Sequence, residues 1–429
     1  MTANASVDRS PNLTLNSSDN DLSAHDLSVT HRSAPDRSAP DRPTPNRSWI
    51  LPVAVLALGT FAMGTDSFVL AGILPQISRG LHTSAGTAGQ VITAFALTYG
   101  FAAPFLSAVT GRIPRKPLMA VALGLFVLAN LGSAFAPSIS VLLAARVAAG
   151  LGAALYTPNA SAAAAALAGP ARRGRALAVI LGGLTVGTVF GVPVGTAIGQ
   201  HVSWRASLVY VAVVGAVALL GLLAVLAAPP LPPVVPMSER LRVFTNRRVI
   251  RYVVFMTLAS GSSIMVYTYI ADVLDATAHV TGATLAVMLL LWGIGGTVGA
   301  FGSGWLADRW GADRTLTLAI SVLAVSLALL PVADDAVTAG LVMLVNGAAA
   351  WAVSTPNNHR LITLVPDLPG VVISFNSAGI YLGQALGAGV GGLLLDGGIG
   401  ARGLCCACVG VAVAAGASQL SRDHVSVKM

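Results

Sequence analysis

The chain has 429 residues, 55% of them hydrophobic and only 10% charged, with a mean hydropathy of +0.77. A soluble domain carries about 25% charge, so one water-soluble core is excluded and lipid is the solvent for most of the chain. The net charge of +8 sits on arginines between apolar runs, which points to membrane loops rather than to a nucleic-acid surface.

Residues 1–47 are rich in Ser, Asp, Pro and Asn and contain a near-repeat, Ser33 to Arg37, Ser38 to Arg42 and Pro43 to Arg47. This composition does not support a packed core, and a disordered cytoplasmic tail is expected. It lacks the pattern of a signal peptide. Beyond it, charge-poor runs of about 20 residues or more are each long enough to span a bilayer. They predict twelve helices, at 49–74, 85–109, 118–136, 138–167, 176–199, 205–227, 252–273, 281–306, 315–332, 337–358, 370–394 and 402–420. The expected fold is an all-α membrane protein with twelve transmembrane helices in two pseudo-symmetric six-helix bundles, 48–227 and 252–420. A cytoplasmic linker at 228–251 joins them, and 421–429 forms a cytoplasmic tail.

Two motif pairs reveal the duplication. Gly111-Arg112-Ile113-Pro114 follows the second helix and Asp308-Arg309-Trp310-Gly311 the eighth, 197 positions on. Thr157-Pro158-Asn159 in the fourth helix returns as Thr355-Pro356-Asn357 in the tenth, 198 positions on. Six helices is an even number, so the repeats run parallel about an axis along the membrane normal. With the tails inside, inner loops hold Arg112, Arg115, Lys116, Arg172, Arg173, Arg175, Arg240, Arg242, Arg247, Arg248, Arg251, Arg309, Arg314 and Arg360, and outer loops only Arg79, Arg205 and Arg402. Cytoplasmic loops retain Lys and Arg, so both termini are expected in the cytoplasm. The preference for Arg over Lys, 23 to 2, suggests a GC-rich bacterial genome, and a bacterial cytoplasmic membrane is the expected location.

Within the membrane, charge is scarce. Asp66, in Gly64-Thr65-Asp66-Ser67-Phe68, is the one carboxylate clearly inside a predicted span; Asp272, Asp275 and Asp396 fall near outer helix ends. Arg146 interrupts the fourth helix. Asp66 lies eight residues before position 74 and Arg146 eight after position 138, so at ~1.5 Å per residue both sit about 12 Å below the outer boundary. Lipid penalises each charge alone, so the two are expected to face one another or one wet cavity. An opposite charge favours the ionised carboxylate and desolvation disfavours it. A movement that changes either would load or release a proton. In the fifth helix, Gly183, Gly187, Gly191, Gly195 and Gly199 recur every fourth residue and predict a groove for close helix approach, bent at Pro193.

Polar and aromatic candidates for a central cavity are Gln90, Tyr99, Tyr156, Asn159, Tyr267, Asn346, Trp351, Asn376 and Gln384. No Walker loop, catalytic acid pair, nucleophile elbow or metal-spaced His/Cys set occurs in the sequence, so neither an enzyme nor a bound cofactor or metal is expected. Cys405, Cys406 and Cys408 read as small apolar packing residues.

These motifs resemble the major facilitator superfamily, in its twelve-helix drug:proton antiporter branch. The resemblance covers about 49–420. The family loop pattern Gly-x-x-x-Asp-Arg-x-Gly-Arg-Lys is kept at Gly304 to Gly311. At Ser107 to Lys116 it departs, with Gly111 in place of Asp and Pro114 in place of Gly. The resemblance implies proton coupling through Asp66 and Arg146, and a gate built on Arg112, Asp308 and Arg309. It also implies an antiporter motif at Gly187, Gly191, Pro193 and Gly195. The family's cavity helices favour Tyr156, Tyr267, Asn346 and Trp351 as lining, beside Asn159 and Asn376. The run from Gly191 to Gln200, followed by Trp204-Arg205, looks like the arabinose, nucleoside and chloramphenicol exporters. The function implied is proton-coupled efflux of a small molecule by a monomer in the lipid bilayer. An uptake symporter or uniporter is the alternative; a membrane sensor would need an output domain.

Overall fold

The computed structural model describes residues 49–227, Val243 and residues 245–420. The expected tails and most of the expected linker lie outside the described residues. Among the described residues there are twelve membrane-length helices and no strand. They are α1 Ile50–Gly80, α2 Ala85–Val109, α3 Arg115–Ala134, α4 Ile139–Ala168, α5 Pro170–His201, α6 Trp204–Val225, α7 Arg247–Thr268, α8 Gly282–Trp310, α9 Ala312–Val332, α10 Ala336–Leu364, α11 Pro369–Asp396 and α12 Gly400–Leu420. A short helix, Ile270–Ala278, continues α7 past Tyr269.

Each predicted helix has its counterpart, and some ends differ. α1 runs to Gly80, not 74, because Pro75 sits inside the helix without ending it. α10 reaches Leu364, not 358, so Arg360 lies in a helix rather than in a loop.

The helices start at polar caps. The side chains of Ser84, Ser138, Ser203, Asn246 and Asp335 accept backbone N–H groups of the first turns of α2, α4, α6, α7 and α10. A helix leaves its first N–H groups without internal partners, and such caps satisfy them.

The packing repeats. α1 lies against α5 and α6, α2 against α4, and α3 against α4 and α6. With six added to each number, the same contacts recur as α7 with α11 and α12, α8 with α10, and α9 with α10 and α12. Two seams join the first six helices to the last six: α2 along α11, and α5 along α8.

The α1–α5 seam shows how glycine spacing sets helix distance. A Cβ at Gly183 would meet the carbonyl of Ala57, and one at Gly187 the carbonyl of Phe61. At Gly191, Gly195 and Gly199 it would meet Thr65, Val69 and Ile73. The two helices advance together by four residues, so every glycine faces backbone or side chain of α1 at contact distance. Close approach lets hydroxyls cross the seam: Thr60 Oγ1 donates to the carbonyl of Ile180 at 2.9 Å, and Thr65 Oγ1 to that of Gly187 at 3.3 Å. Residues Gly187–Gly191 form a π-helical turn, in which the Val192 N–H returns to the Gly187 carbonyl. Pro193 follows at once and has no N–H to offer, so the ladder widens locally.

This geometry separates two neighbouring glycines. Gly187→Ala should lower the thermal midpoint of the purified protein by an amount equivalent to about 1–3 kcal/mol, the usual cost of overpacking. Gly182→Ala, with nothing within 4 Å of its added Cβ, should leave the midpoint unchanged or raise it slightly. Thermal unfolding of the two variants side by side checks both.

Candidate functional site

Asp66 and Arg146 meet inside the first six helices, both fully buried. The Arg146 guanidinium donates from Nη1 to Asp66 Oδ1 at 2.8 Å and from Nη2 to Oδ2 at 2.9 Å. This is the two-pronged arrangement that suits a planar guanidinium and a carboxylate. α1 supplies the acid, α4 the base. Asn130 of α3 accepts a third, longer bond from Arg146 Nη1 at 3.4 Å, while its own amide group donates to the Phe126 carbonyl at 3.0 Å. The Phe95 ring of α2 lies 4.6 Å from the guanidinium carbon, in a cation–π contact. Arg146 Nε has no partner among the described residues. The pair is the one acid–base contact found within the membrane interior of the first six helices, since Asp66 is the sole acidic residue between positions 47 and 227.

A second centre joins α1 to the last six helices through rings. Phe68, two residues from Asp66, lies 5.6 Å from Tyr267 of α7, 5.4 Å from Trp292 of α8 and 6.0 Å from Trp351 of α10. Tyr267 and Trp292 are 4.3 Å apart, and the Tyr267 hydroxyl donates to the Phe68 carbonyl at 3.4 Å. Trp292 Nε1 donates to Asn346 Oδ1 at 3.1 Å, and Asn346 Nδ2 to Ser326 Oγ at 3.0 Å. Nearer the arginine-rich end, Asn357 Nδ2 donates to Asn376 Oδ1 at 2.6 Å, and Asn376 Nδ2 to Ser354 Oγ at 3.4 Å. Asn357 and Asn376 are buried and bonded to one another, and Asn357 Oδ1 has no partner among the described residues.

Other predicted residues sit elsewhere. Tyr156 fills the α1–α4 seam, its hydroxyl donating to the Leu56 carbonyl at 2.9 Å beside Gly59. Asn159 donates back to Leu155 of its own helix at 2.7 Å. Tyr156 is therefore a packing residue in this conformation, while Asn159 stays half-buried. Gly187, Gly191, Pro193 and Gly195 shape the α1–α5 seam described above. Arg112, Asp308 and Arg309 are exposed, and the described ion pairs do not include them. Arg309 lies over Trp305, 5.6 Å from its ring centre.

The ion pair at that end is instead Asp313 of α9 with Arg360 of α10, to which Gln419 of α12 adds an acceptor for Arg360 Nη1 at 2.7 Å. Sequence reading missed it because Arg360 was expected in a loop. It also missed Asn130, Phe95 and Trp292. At the opposite end, Asp396 of α11 crosses to α2: its carboxylate accepts from Ser84 Oγ at 2.9 Å and from the Gly86 N–H at 3.3 Å. A carboxylate at a helix N-terminus is electrostatically favourable, so this contact ties the two groups of helices together there.

Twelve apolar spans, closed around one buried ion pair and one ring cluster shared between the first and last six helices, define a multi-pass membrane protein. The family model of the Major Facilitator Superfamily matches residues 56–388. The inner membrane transport protein YdhP of Escherichia coli K12 is 31% identical over 350 residues, covering 81% of this chain and 90% of YdhP. A chloramphenicol resistance protein of Streptomyces lividans is 32% identical over 342 residues, covering 79% of this chain and 87% of that protein. The crystal structure of a point mutant of the nucleoside transporter NupG superposes with a TM-score of 0.69 at 14% identity, over 87% of this chain and 99% of that one, a likeness of fold. The chain belongs to the Major Facilitator Superfamily and is a membrane transporter of small molecules.

The buried pair makes a stability prediction. Asp66→Ala strands a guanidinium in the interior and should destabilise the protein by about 3–5 kcal/mol, the usual cost of breaking a buried pair. The double variant Asp66→Ala/Arg146→Met removes both charges and should regain more than half of that loss. Thermal unfolding of the single and double variants in one detergent measures the difference.

Proposed function

We propose that this transporter is a proton-coupled exporter, with Asp66 as the proton site and Arg146 as its counter-charge. The observation that carries this reading is the sealed two-pronged ion pair at the sole carboxylate of residues 47–227. Ionisable groups inside a membrane mark ion pathways. A carboxylate held by one guanidinium changes its proton affinity sharply when that contact opens. The export direction draws on the glycine and proline register of α5 and on the similarity to a chloramphenicol resistance protein. Asp66 is engaged by Arg146 on both oxygens, so it is not free to hold a cationic substrate in this conformation. The ring cluster of Phe68, Tyr267, Trp292 and Trp351, with amides beneath it, suits a neutral molecule bearing a ring.

In this reading α1–α6 and α7–α12 are two bundles that rock about a site near the midplane. The arginine-rich loops and both termini lie in the cytoplasm of a bacterial cell, and the protein works as a monomer. The electrical part of the drive is about 2.3 kcal/mol per charge per 100 mV. Arg112, Asp308 and Arg309 act at the cytoplasmic gate in a conformation where the ends of α2 and α8 approach.

A susceptibility panel on cells with and without the protein identifies the exported compound. With that compound in proteoliposomes, a proton gradient of one sign should drive it against its own gradient, and reversal of the sign should reverse the flow. Asp66→Asn should abolish proton-driven transport while the protein remains inserted. Undiminished proton-driven transport in that variant removes Asp66 from the mechanism, and movement of compound and protons in the same direction makes the protein a symporter.

A further inference from the structure

The ion pair has no exposed surface, so a proton needs a way in. Beside it stand two tyrosines from different halves of the fold. Tyr99 of α2 is buried and Tyr381 of α11 is half-buried. Their rings stack, with centroids 3.7 Å apart and planes 24° from parallel. Tyr99 also touches Phe95, 6.5 Å between centroids, and Phe95 is the ring that lies on the Arg146 guanidinium. The Tyr99 hydroxyl lies beside Thr157 of α4 and Tyr381, and the Tyr381 hydroxyl beside Ser67, the residue after Asp66. The Asp66 charge is close enough to act on the Tyr381 hydroxyl. Ser67 Oγ spends its own hydrogen on the Met63 carbonyl at 2.8 Å, which leaves it free to accept from Tyr381.

One member of this stack belongs to α11, which packs along α2 across the seam between the first and last six helices. Any movement that parts that seam pulls Tyr381 away from Tyr99 and Ser67. The α1, α2 and α4 members stay behind with Asp66 and Arg146. The stack is thus the part of the pair's surroundings that a change of conformation removes.

We propose that the Tyr99–Tyr381 stack is the proton gate of Asp66, a lid shared between the halves that is shut in this conformation and opens when α11 leaves α2. It rests on the reading of Asp66 as the proton site. The step moves one proton. Water delivers it to a carboxylate oxygen of Asp66, and Arg146 gives up its hydrogen bond to that oxygen and keeps its charge. The charged and titratable groups facing Asp66 are Arg146 from α4, Tyr381 from α11 and, through Tyr381, Tyr99 from α2; α3 and α5 contribute Asn130 and backbone only. Tyr381 is a positioning residue here, since it acts on Asp66 through access.

The test needs no substrate. Full-length protein is reconstituted in liposomes that enclose a pH-sensitive dye, and an imposed proton gradient is followed. Wild type should hold the gradient. Tyr381→Ala should leak protons at least tenfold faster, and Tyr381→Phe, which keeps the ring, should leak much less. The leak should vanish in Asp66→Asn/Tyr381→Ala. A leak that persists in the double variant, or a proton-tight Tyr381→Ala that elutes as a single species, overturns the proposal. If Tyr381→Ala does not fold, Tyr99→Phe and Tyr381→Leu are read against the same two outcomes. Asp66→Asn alone decides the underlying reading: if it stops proton-driven transport while Tyr381→Ala stays tight, the gate fails and the proton site stands.

Discussion

Everything in the first six helices is arranged around one fact, that lipid and protein interior do not tolerate a stray charge. An arginine at the centre of a spanning helix costs about 2.5–3.5 kcal/mol on insertion scales. Arg146 meets that cost with a carboxylate on two prongs, an amide oxygen and a ring face. Four helices must therefore hold fixed relative positions: α1 for Asp66, α2 for Phe95, α3 for Asn130 and α4 for Arg146. The ion pair is a constraint on the bundle as much as a product of it.

That constraint explains why α1 is pressed so closely onto α5. Asp66 stays sealed only if the face of α1 around Thr65 is covered, and Gly187 and Gly191 allow α5 to cover it at backbone distance. The π-turn at Gly187–Gly191 faces α8 as well, since a Cβ at Gly293 would meet Thr188 and Val189. One irregular turn thus serves two seams, one inside the first six helices and one between the two groups. Irregular backbone at membrane depth is tolerated because protein surrounds it on both sides.

How much of this the sequence disclosed depends on the range of the interaction. Lipid length and charge exclusion act along the chain, so the spans were legible from charge-poor runs. The Asp66–Arg146 meeting was legible from the cost of burying each charge alone. With α1 running to Gly80 rather than to 74, Asp66 lies farther from its outer helix end than Arg146 does from its own, so the partners follow from electrostatics and not from depth. The glycine register was legible because it repeats. What stayed hidden was the face each polar residue presents. Tyr156 looks like lining in one dimension, yet its hydroxyl reaches a carbonyl of α1 beside a glycine and the ring is fully buried. Asn130, Trp292 and Tyr381 had no local signature, because their significance lies in partners 16 or more positions away. Asp313 and Arg360 were concealed by a helix that runs past its charge.

The two repeats have kept one packing plan and diverged in chemistry. The first places its ion pair deep among α1 and α4 and has no acidic residue at its arginine-rich end, where Gly111 stands in the position that Asp308 occupies in the second. The second places its ion pair at that end, between α9 and α10, and fills its depth with neutral amides and rings. A carboxylate deep in both repeats would put two like charges near one midplane, which low dielectric makes expensive. Dividing the tasks avoids this. On the proposed reading the first repeat handles the proton and the second recognises the molecule, and Phe68 and Tyr381, reaching across from each side, are where the two tasks touch.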